Sequence, residues 1–167
     1  MIRKASGRDA PFLRDMVKHA YYWRWGEPAT ADVPGSRYVE GWGRPGDRGL
    51  ILIDESFPVG AAWYRLFTAD RPGYGFVDER TPELTIAVVP SRRGRGFGVE
   101  LLTALLEQAR EDGHSSLSLS VEKDNPAVKL YERFGFKPVK EMGSTVVMRA
   151  ELTPAPTSRQ KIGVRPP

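Results

Sequence analysis

Residues 83–122 constrain the fold of this chain more than any other stretch. Their first segment, "ELTIAVV", is a short apolar run that is typical of a buried strand. A helix should follow, because Leu101, Leu102, Leu105 and Leu106 recur at helical spacing. The next segment, "SLSLSVE", alternates apolar and serine side chains and therefore predicts a second strand. A strand, a helix and a strand in this order predict a crossover between two parallel strands.

The segments on both sides of this unit predict strands that pair in the antiparallel sense. Five further strands are predicted, at residues 1–4, 50–55, 58–67, 137–140 and 145–151. Two further helices are predicted, at residues 9–25 and between Asn125 and Gly135, where asparagine starts and glycine ends a helix well. The expected fold is therefore α/β (α+β), with one mixed sheet of about six to seven strands.

The length and the end of the chain predict one folded domain with a tail. The 167 residues are enough for one domain with its own core, which we assign to residues 1–152. Residues 153–167 contain four prolines and few apolar residues, a composition typical of disorder. Residues 26–49 are rich in glycine and proline and predict a loop with a short helix near residues 37–42. Within them, "EGWGRPGDRG" favours a plain loop over a mobile lid.

The residue types that are absent exclude several classes of chemistry. The chain has no cysteine, which excludes disulfides, thiolate metal sites and a cysteine nucleophile. Its histidines, His19 and His114, are too few and too far apart for a metal cluster, so no metal is expected. The G-x-S-x-G motif of serine hydrolases is also missing. No apolar run approaches the roughly 18 residues of a membrane span, and no secretory signal is present, so we expect a cytoplasmic protein without a membrane partner.

The loop before the crossover helix, "PSRRGRGFG", has the features of an anion site. Its glycines let the backbone approach a ligand closely, and the first N–H groups of the helix have no partner within it. These donors, the helix dipole and three arginines favour a phosphate. The loop is not a Walker loop, which requires G-x-x-x-x-G-K-[ST], and Val99 replaces the last glycine of the dinucleotide fingerprint. The alternatives are a solvated basic turn and an RNA-binding Arg-Gly segment.

Two motifs resemble the signatures of the GNAT superfamily of N-acetyltransferases. In "IAVVPSRRGRGFG", Arg93, Gly96 and Gly98 occupy the three defining places of the family pattern [QR]-x-x-G-x-[GA]. In "DNPAVKLYERFGF", an asparagine precedes a helix that carries Leu-Tyr and closes in Gly-Phe, as in the second family signature. The resemblance covers residues 51–149 well and the first strand and helix in outline. It implies a GNAT-type domain with helices on both faces of the sheet and splayed fourth and fifth strands.

The resemblance also implies that acetyl-CoA is the co-substrate and indicates which residues bind it. Main-chain groups of Ile86, Ala87 and Val88 would bond the pantetheine arm. The pyrophosphate would lie against Arg93 and the main-chain N–H groups of Gly94, Arg95, Gly96, Phe97, Gly98 and Val99. Asn125 would also contact the cofactor. It precedes Tyr131 by six residues, where many family members have seven, so Asp124 is the alternative at that place.

The family reaction implies one acid and one base. Tyr131 would protonate the leaving thiolate, whose pKa as a free thiol is near 8.5. The alternative is that Tyr131 is a core aromatic residue. An amine with a pKa near 10.4 must lose a proton before it attacks, and Glu83 is the leading general base. Further candidates are the carboxylates of Glu122, Asp78 and Glu79.

The acceptor implied by the family is a primary amine of a small molecule or peptide. The segment "HAYYWRWGEP" places Tyr21, Tyr22, Trp23 and Trp25 close together in sequence. Either Tyr21 and Trp25 pack in the core, or one or two of these rings form a wall of the acceptor pocket. The alternative functions are a non-catalytic acyl-CoA-binding sensor or subunit and an RNA-binding protein, although no nucleic acid partner is expected. A homodimer is compatible with the family.

Overall fold

The computed structural model describes residues 1–21 and 36–153 of the chain. Within these residues, seven strands form one sheet in the order β1-β2-β3-β4-β5-β7-β6. The strands are β1 (Ile2–Lys4), β2 (Arg48–Asp54), β3 (Phe57–Arg65), β4 (Glu83–Val88), β5 (Ser116–Glu122), β6 (Lys137–Met142) and β7 (Thr145–Glu151). The helices are α1 (Ala10–Tyr21), α2 (Phe97–Glu111) and α3 (Ala127–Arg133). The predicted order of strands and helices is confirmed.

The centre of the sheet contains the predicted parallel pair. Strands β4 and β5 run parallel, whereas every other neighbouring pair in the described sheet is antiparallel, so the sheet is mixed as predicted. The register of β4 and β5 contains one pair, Glu83 with Ser118. Beyond this pair the two strands diverge, while β4 stays bonded to β3 along its whole length. The splayed fourth and fifth strands implied by the family resemblance are therefore present.

Two apolar cores lie on opposite faces of the sheet, because successive strand side chains point to alternate sides. On one face, α2 buries Leu101, Leu102, Leu105 and Leu106, each at most 3% exposed, against strand side chains such as Leu119. On the other face, α1 buries Leu13, Met16 and Val17 against side chains that include Ile51 and Trp63. Helices therefore cover both faces of the sheet, as the family resemblance implies.

The loop that follows α1 in the sequence is described from residue 36 onward. The short helix expected near residues 37–42 is a 3-10 turn at Ser36–Tyr38. The glycine-rich residues after it form turns that Asp47 organises by accepting from the amides of Gly43 and Arg44. Asp47 also forms a buried ion pair with Arg65. This loop is therefore tied to β3.

Several expectations concern residues outside the described ranges. The end of the first predicted helix, with Tyr22, Trp23 and Trp25, is among them, as are residues 154–167 of the predicted tail. Across residues 1–21 and 36–153, no helix has the length and hydropathy that crossing a membrane requires. Within the same ranges, no three metal-ligating side chains cluster closely enough to hold an ion.

Candidate active site

The divergence of β4 and β5 opens a cavity of about 440 Å³ in the middle of the sheet. Its walls are residues 84–88 of β4, residues 119–122 of β5 and the beginning of α3. Predicted site residues that line it are Glu83, Ile86, Ala87, Val88, Arg93, Gly98, Asn125 and Tyr131. The fold thus brings together residues that are up to 48 positions apart in sequence.

The exposed edge of β4 provides main-chain groups to this cavity. The Val89 amide donates to the Val59 carbonyl across the β3 side. Because main-chain groups alternate in direction along a strand, those of Ala87 also face β3, whereas those of Ile86 and Val88 face the gap. The Arg93 guanidinium donates to the Val88 carbonyl over 3.1 Å, in agreement with this direction. Two of the three predicted pantetheine contacts, Ile86 and Val88, therefore have backbone groups that face the gap. The backbone groups of the third, Ala87, face β3 instead.

The glycine-rich loop ends β4 and starts α2 with open backbone donors. Gly94 and Gly96 have φ values of +79° and +82°, a left-handed conformation that side chains disfavour. The Glu100 amide closes the first helical hydrogen bond with the Gly96 carbonyl. Within the described residues, none of the amides from residue 94 to residue 99 donates to a backbone or side-chain acceptor. This loop therefore presents six amide donors at the positive end of a helix, which is an anion-binding arrangement.

The three arginines of the loop have different partners. Arg92 bonds Asp54 over 2.9 Å and so ties the loop to the β2–β3 hairpin. Arg95 approaches the same carboxylate at 3.9 Å and is half exposed. Arg93 lies on the cavity wall, where its guanidinium donates to Val88 and, over 3.4 Å, to the His19 carbonyl at the end of α1. Arg93 therefore joins α1 to the edge of β4.

Asn125 lies just before α3. Its Oδ1 accepts from the Ala127 amide over 2.9 Å, a local turn contact just before Pro126, which is the residue that caps the helix. Asn125 also lines the cavity. Asp124 instead borders a separate surface pocket with Lys123 and Ser144. Of the two alternatives for a cofactor contact, Asn125 is the one that the fold places at the gap.

Tyr131 lies on the cavity wall opposite β4. It is 8% exposed, and its ring meets Phe136 edge to face at a centroid distance of 6.0 Å. Burial raises the pKa of its hydroxyl above the ordinary value, so this group keeps its proton at neutral pH. Tyr131 therefore combines both interpretations of its sequence position, because it packs in the core and also reaches the gap.

Glu83 lies at the closed end of the cavity, where β4 and β5 are still paired. Burial raises the pKa of its carboxyl to about 7, although Tyr38, the Gly75 amide and the Arg37 charge favour the ionised form. The Tyr38 hydroxyl donates to Oε2. In the described part of the chain, no donor reaches Oε1 in hydrogen-bonding geometry. A carboxyl that is half ionised near neutral pH suits a general base.

The connection between β3 and β4 passes over the Glu83 side chain. We call its residues 73–75 the strap. A Cβ at Gly73 would lie 2.1 Å from Glu83 Oε1, and a Cβ at Gly75 would lie 2.6 Å from a backbone carbon of β5. The Ser118 hydroxyl donates to the Gly75 carbonyl over 2.7 Å. The strap therefore needs glycine at both positions to cover the carboxyl closely.

Three tyrosines surround this end of the cavity. The rings of Tyr21, Tyr38 and Tyr74 have centroids 6.1 to 6.4 Å apart, and the first two line the cavity. Sequence reasoning included Tyr21 as a possible wall of the pocket but missed Tyr38 and Tyr74, since both lie in loops. The available signal was the apolar pair Tyr38 and Val39 inside a polar, glycine-rich segment.

The other carboxylates considered as bases differ in position. Glu122 lines the cavity on the β5 side. Asp78 accepts from the Arg80 amide over 2.9 Å, and Glu79 accepts from the Ala69 amide over 2.8 Å. Both belong to the exposed connection before β4 and are not part of the cavity wall. Among these candidates, the fold places Glu83 and Glu122 at the gap.

Comparisons with known proteins agree with this geometry. The acetyltransferase (GNAT) family model matches residues 10–136. A ribosomal protein bS18-alanine N-acetyltransferase of Haemophilus influenzae is 43% identical over 139 residues, which are 83% of this chain and 82% of that protein. A mycothiol acetyltransferase of Corynebacterium aurimucosum is 40% identical over 84 residues, which are 50% of this chain and span 26% of that relative's length. The structure of a putative acetyltransferase from Salmonella typhimurium with its cofactor acetyl-CoA has the same fold, with a TM-score of 0.70, 22% identity, and coverage of 93% of this chain and 95% of that one.

Proposed function

Because this chain belongs to the GNAT acetyltransferase family, we propose that it transfers the acetyl group of acetyl-CoA to a primary amine by direct attack. The observation that carries this proposal is the gap between β4 and β5, with Glu83 at one end and Tyr131 on its wall. An alternative within the same fold is a sensor or subunit that holds acyl-CoA without turnover. The buried carboxyl with a pKa of about 7 favours the enzyme, since binding alone does not require a base.

The residues present suit acetyl-CoA. The six amide donors of the loop before α2 would hold the pyrophosphate, and the main-chain groups of Ile86 and Val88 would bond the pantetheine arm along the edge of β4. Arg93 and Asn125 would support the arm from the cavity wall. The Val88 amide is the donor that would polarise the thioester carbonyl, a contribution that is typically about 10²–10³ in rate.

Glu83 would accept a proton from the ammonium group of the acceptor. The free amine nitrogen then attacks the thioester carbon, a C–N bond forms, and the C–S bond breaks. With a pKa of about 7, Glu83 is ionised in about half of the molecules at pH 7, so the base is available without being strongly acidic. Burial at 2% exposure keeps competing water away from this step.

Tyr131 would return a proton to the thiolate of coenzyme A. Its raised pKa keeps the hydroxyl protonated until the thiolate forms. The thiolate is a fair leaving group even without help, so the contribution of the acid should be about 10²-fold. The nitrogen loses its second proton as the amide forms, and this proton replaces the one that Tyr131 gave. The reaction thus consumes one protonated amine and one thioester and yields one amide, one thiol and the proton held by Glu83.

The acceptor is proposed as a primary amine on a small molecule or a peptide. The Haemophilus influenzae relative supports a protein or peptide acceptor, since its name describes acetylation at alanine of ribosomal protein bS18. The Corynebacterium aurimucosum relative supports a small molecule. We also propose residues 1–152 as the catalytic domain.

Release of free thiol from acetyl-CoA tests this function. The purified chain should release thiol with at least one member of a panel of amino acids, aminoglycosides, small amines and peptides that begin with alanine. Calorimetry with coenzyme A should give heat of binding. Binding without turnover across the panel would support the sensor, and salt-dependent RNA retention without coenzyme A binding would support an RNA-binding protein.

A matched pair of tyrosine variants tests the proposed acid. Tyr131→Phe should lower kcat about 10²-fold and leave coenzyme A affinity unchanged. Tyr64→Phe is the control, because Tyr64 is also buried and its hydroxyl donates to Asp112, away from the gap. Equal kcat for wild type and Tyr131→Phe would remove the acid role from Tyr131.

A further inference from the structure

One side-chain donor holds the carboxyl of Glu83 within the described residues. The Tyr38 hydroxyl donates to Oε2, while Oε1 has no donor in hydrogen-bonding geometry there. Both side chains are 2% exposed, so water does not replace this contact easily. The two oxygens of the carboxyl therefore have different surroundings, since Oε2 accepts from Tyr38 and Oε1 is buried against the strap.

Tyr38 is itself held by three neighbours. Its hydroxyl oxygen accepts from the Tyr74 amide of the strap over 2.7 Å. Its carbonyl accepts from the indole N–H of Trp63 over 3.0 Å. Its ring meets Phe67 edge to face at 5.3 Å. With the hydroxyl proton directed to Glu83, the orientation of this phenol is fixed by contacts on every side.

The segment that carries Tyr38 is anchored by a buried ion pair. The Arg65 guanidinium donates to the carbonyls of Arg37 and Glu40, on either side of Tyr38, over 2.9 and 2.8 Å. It also pairs with Asp47 at side-chain exposures of 1% and 3%. Such an arrangement is costly to bury and is retained where it fixes a local conformation. Here it fixes the position of Tyr38.

We propose that Tyr38 is a positioning residue that holds Glu83 by Oε2 and so orients the carboxylate that takes the proton from the acceptor amine. This inference rests on the proposed acetyl transfer. The Glu83 carboxylate takes one proton from the ammonium group of the acceptor, and the free amine nitrogen then attacks the thioester carbon. Tyr38 keeps its own proton throughout. Its effect is on the orientation and the ionisation of the base.

Several other polar groups surround the carboxyl and are unchanged by substitution of Tyr38. They are Tyr21 and His19 of α1, Arg37, Tyr74 of the strap, Arg65 of β3, Ser118 of β5, and Arg93 and Glu122 of the cavity wall. The charge of Arg37 favours ionised Glu83 with or without the phenol hydroxyl. Removal of the hydroxyl therefore breaks the bond to Glu83 and the contact with the uncharged Tyr74 amide, and it leaves these charges in place.

Tyr38→Phe should raise the pKa of Glu83, because the lost hydrogen bond favours the ionised form. A rise of about one pH unit is expected from the loss of one hydrogen bond to a charged group. At pH 7 the ionised fraction would fall from about one half to about one eleventh, so kcat/KM should fall about five-fold. Activity should recover at higher pH, which a merely structural defect would not produce.

The test is a carbon NMR titration of the Glu83 carboxyl in the full chain, with Glu83→Gln to assign the signal. Tyr38→Phe should shift the midpoint upward by about one pH unit, and the acidic limb of kcat/KM should move with it. Tyr64→Phe, which also removes a buried phenol–carboxylate bond, should move neither. Unchanged midpoints in Tyr38→Phe would overturn the inference.

The experiments distinguish failure of the proposed function from failure of the inference about Tyr38. If the chain transfers no acetyl group to any amine, the proposed function fails, and the titration still decides whether Tyr38 controls the carboxyl. If Tyr38→Phe does not fold, the wild-type chain is used. A strongly deshielded Tyr38 hydroxyl proton that is lost in Glu83→Gln supports the inference, and its absence from the wild type opposes it.

Discussion

Burial of the Glu83 carboxyl predicts that the protein becomes less stable as pH rises. The pKa of this group is about 7 in the folded chain, against an ordinary value of 4.5. The folded chain therefore binds this proton more tightly than the unfolded chain does. The resulting stabilisation is complete below about pH 4.5 and is lost as pH rises through 7. The difference, 7 minus 4.5, is about 2.5 pH units, and at 1.36 kcal/mol for each it amounts to about 3 kcal/mol.

Urea unfolding of the wild type and of Glu83→Gln at pH 4.5, 6, 7 and 8 measures this term. The amide of Glu83→Gln does not titrate. The free energy of unfolding of this variant, relative to that of the wild type, should therefore rise by about 3 kcal/mol between pH 4.5 and pH 8. All other titrating groups are common to both proteins and cancel in this comparison. Glu107→Gln, on the exposed side of α2, makes the same change of charge and should give no such gain. Parallel pH profiles for wild type and Glu83→Gln would refute the reasoning.

Two further predictions concern the loop before α2 and the anchor of Tyr38. Gly96→Ala places a side chain at φ +82°, so it should lower the free energy of unfolding by on the order of 1 kcal/mol and also weaken coenzyme A binding. Gly113→Ala is the control, at φ +87° beyond the other end of α2. It should lower the free energy of unfolding by a similar amount without changing coenzyme A affinity. Urea unfolding and calorimetry measure both quantities, and equal losses of affinity would argue against the anion site. Arg65→Met leaves the Asp47 carboxylate buried without its partner and should cost about 3–5 kcal/mol in urea unfolding, a value that a loss below 1 kcal/mol would contradict.

The order of strands and helices could be read from the sequence because its periodic segments are strong. The leucines of α2 fix which face of the helix is buried, and the alternation in β5 places Leu117, Leu119 and Val121 on the side that packs with α2. The divergence of β4 and β5 could not be read in this way. The periodicity of apolar residues along a strand or helix indicates which side chains lie on the same face. The distance between two strands depends instead on the helices and loops that pack around both. Only the family resemblance implied that divergence.

The same limit applies to the candidate site. Glu83 was selected by sequence, but its pKa depends on the strap and on Tyr38, which approach it from two separate loops. The direction of the Ala87 backbone groups depends on the register of β4 with β3, which no local pattern encodes. The contacts of Arg93 with the ends of α1 and β4 likewise appear only when the elements have assembled.

The single rung between β4 and β5 has a mechanical consequence. Strands β1 to β4 form one part of the sheet, and strands β5, β7 and β6 form the other. Both parts pack against α2, but within the sheet they are joined only by the pair Glu83 and Ser118 among the described residues. A pantetheine chain lying between β4 and β5 would bridge the two parts of the sheet where backbone pairing is absent. Occupancy of the gap would then hold these two parts of the sheet together where their own strands do not pair.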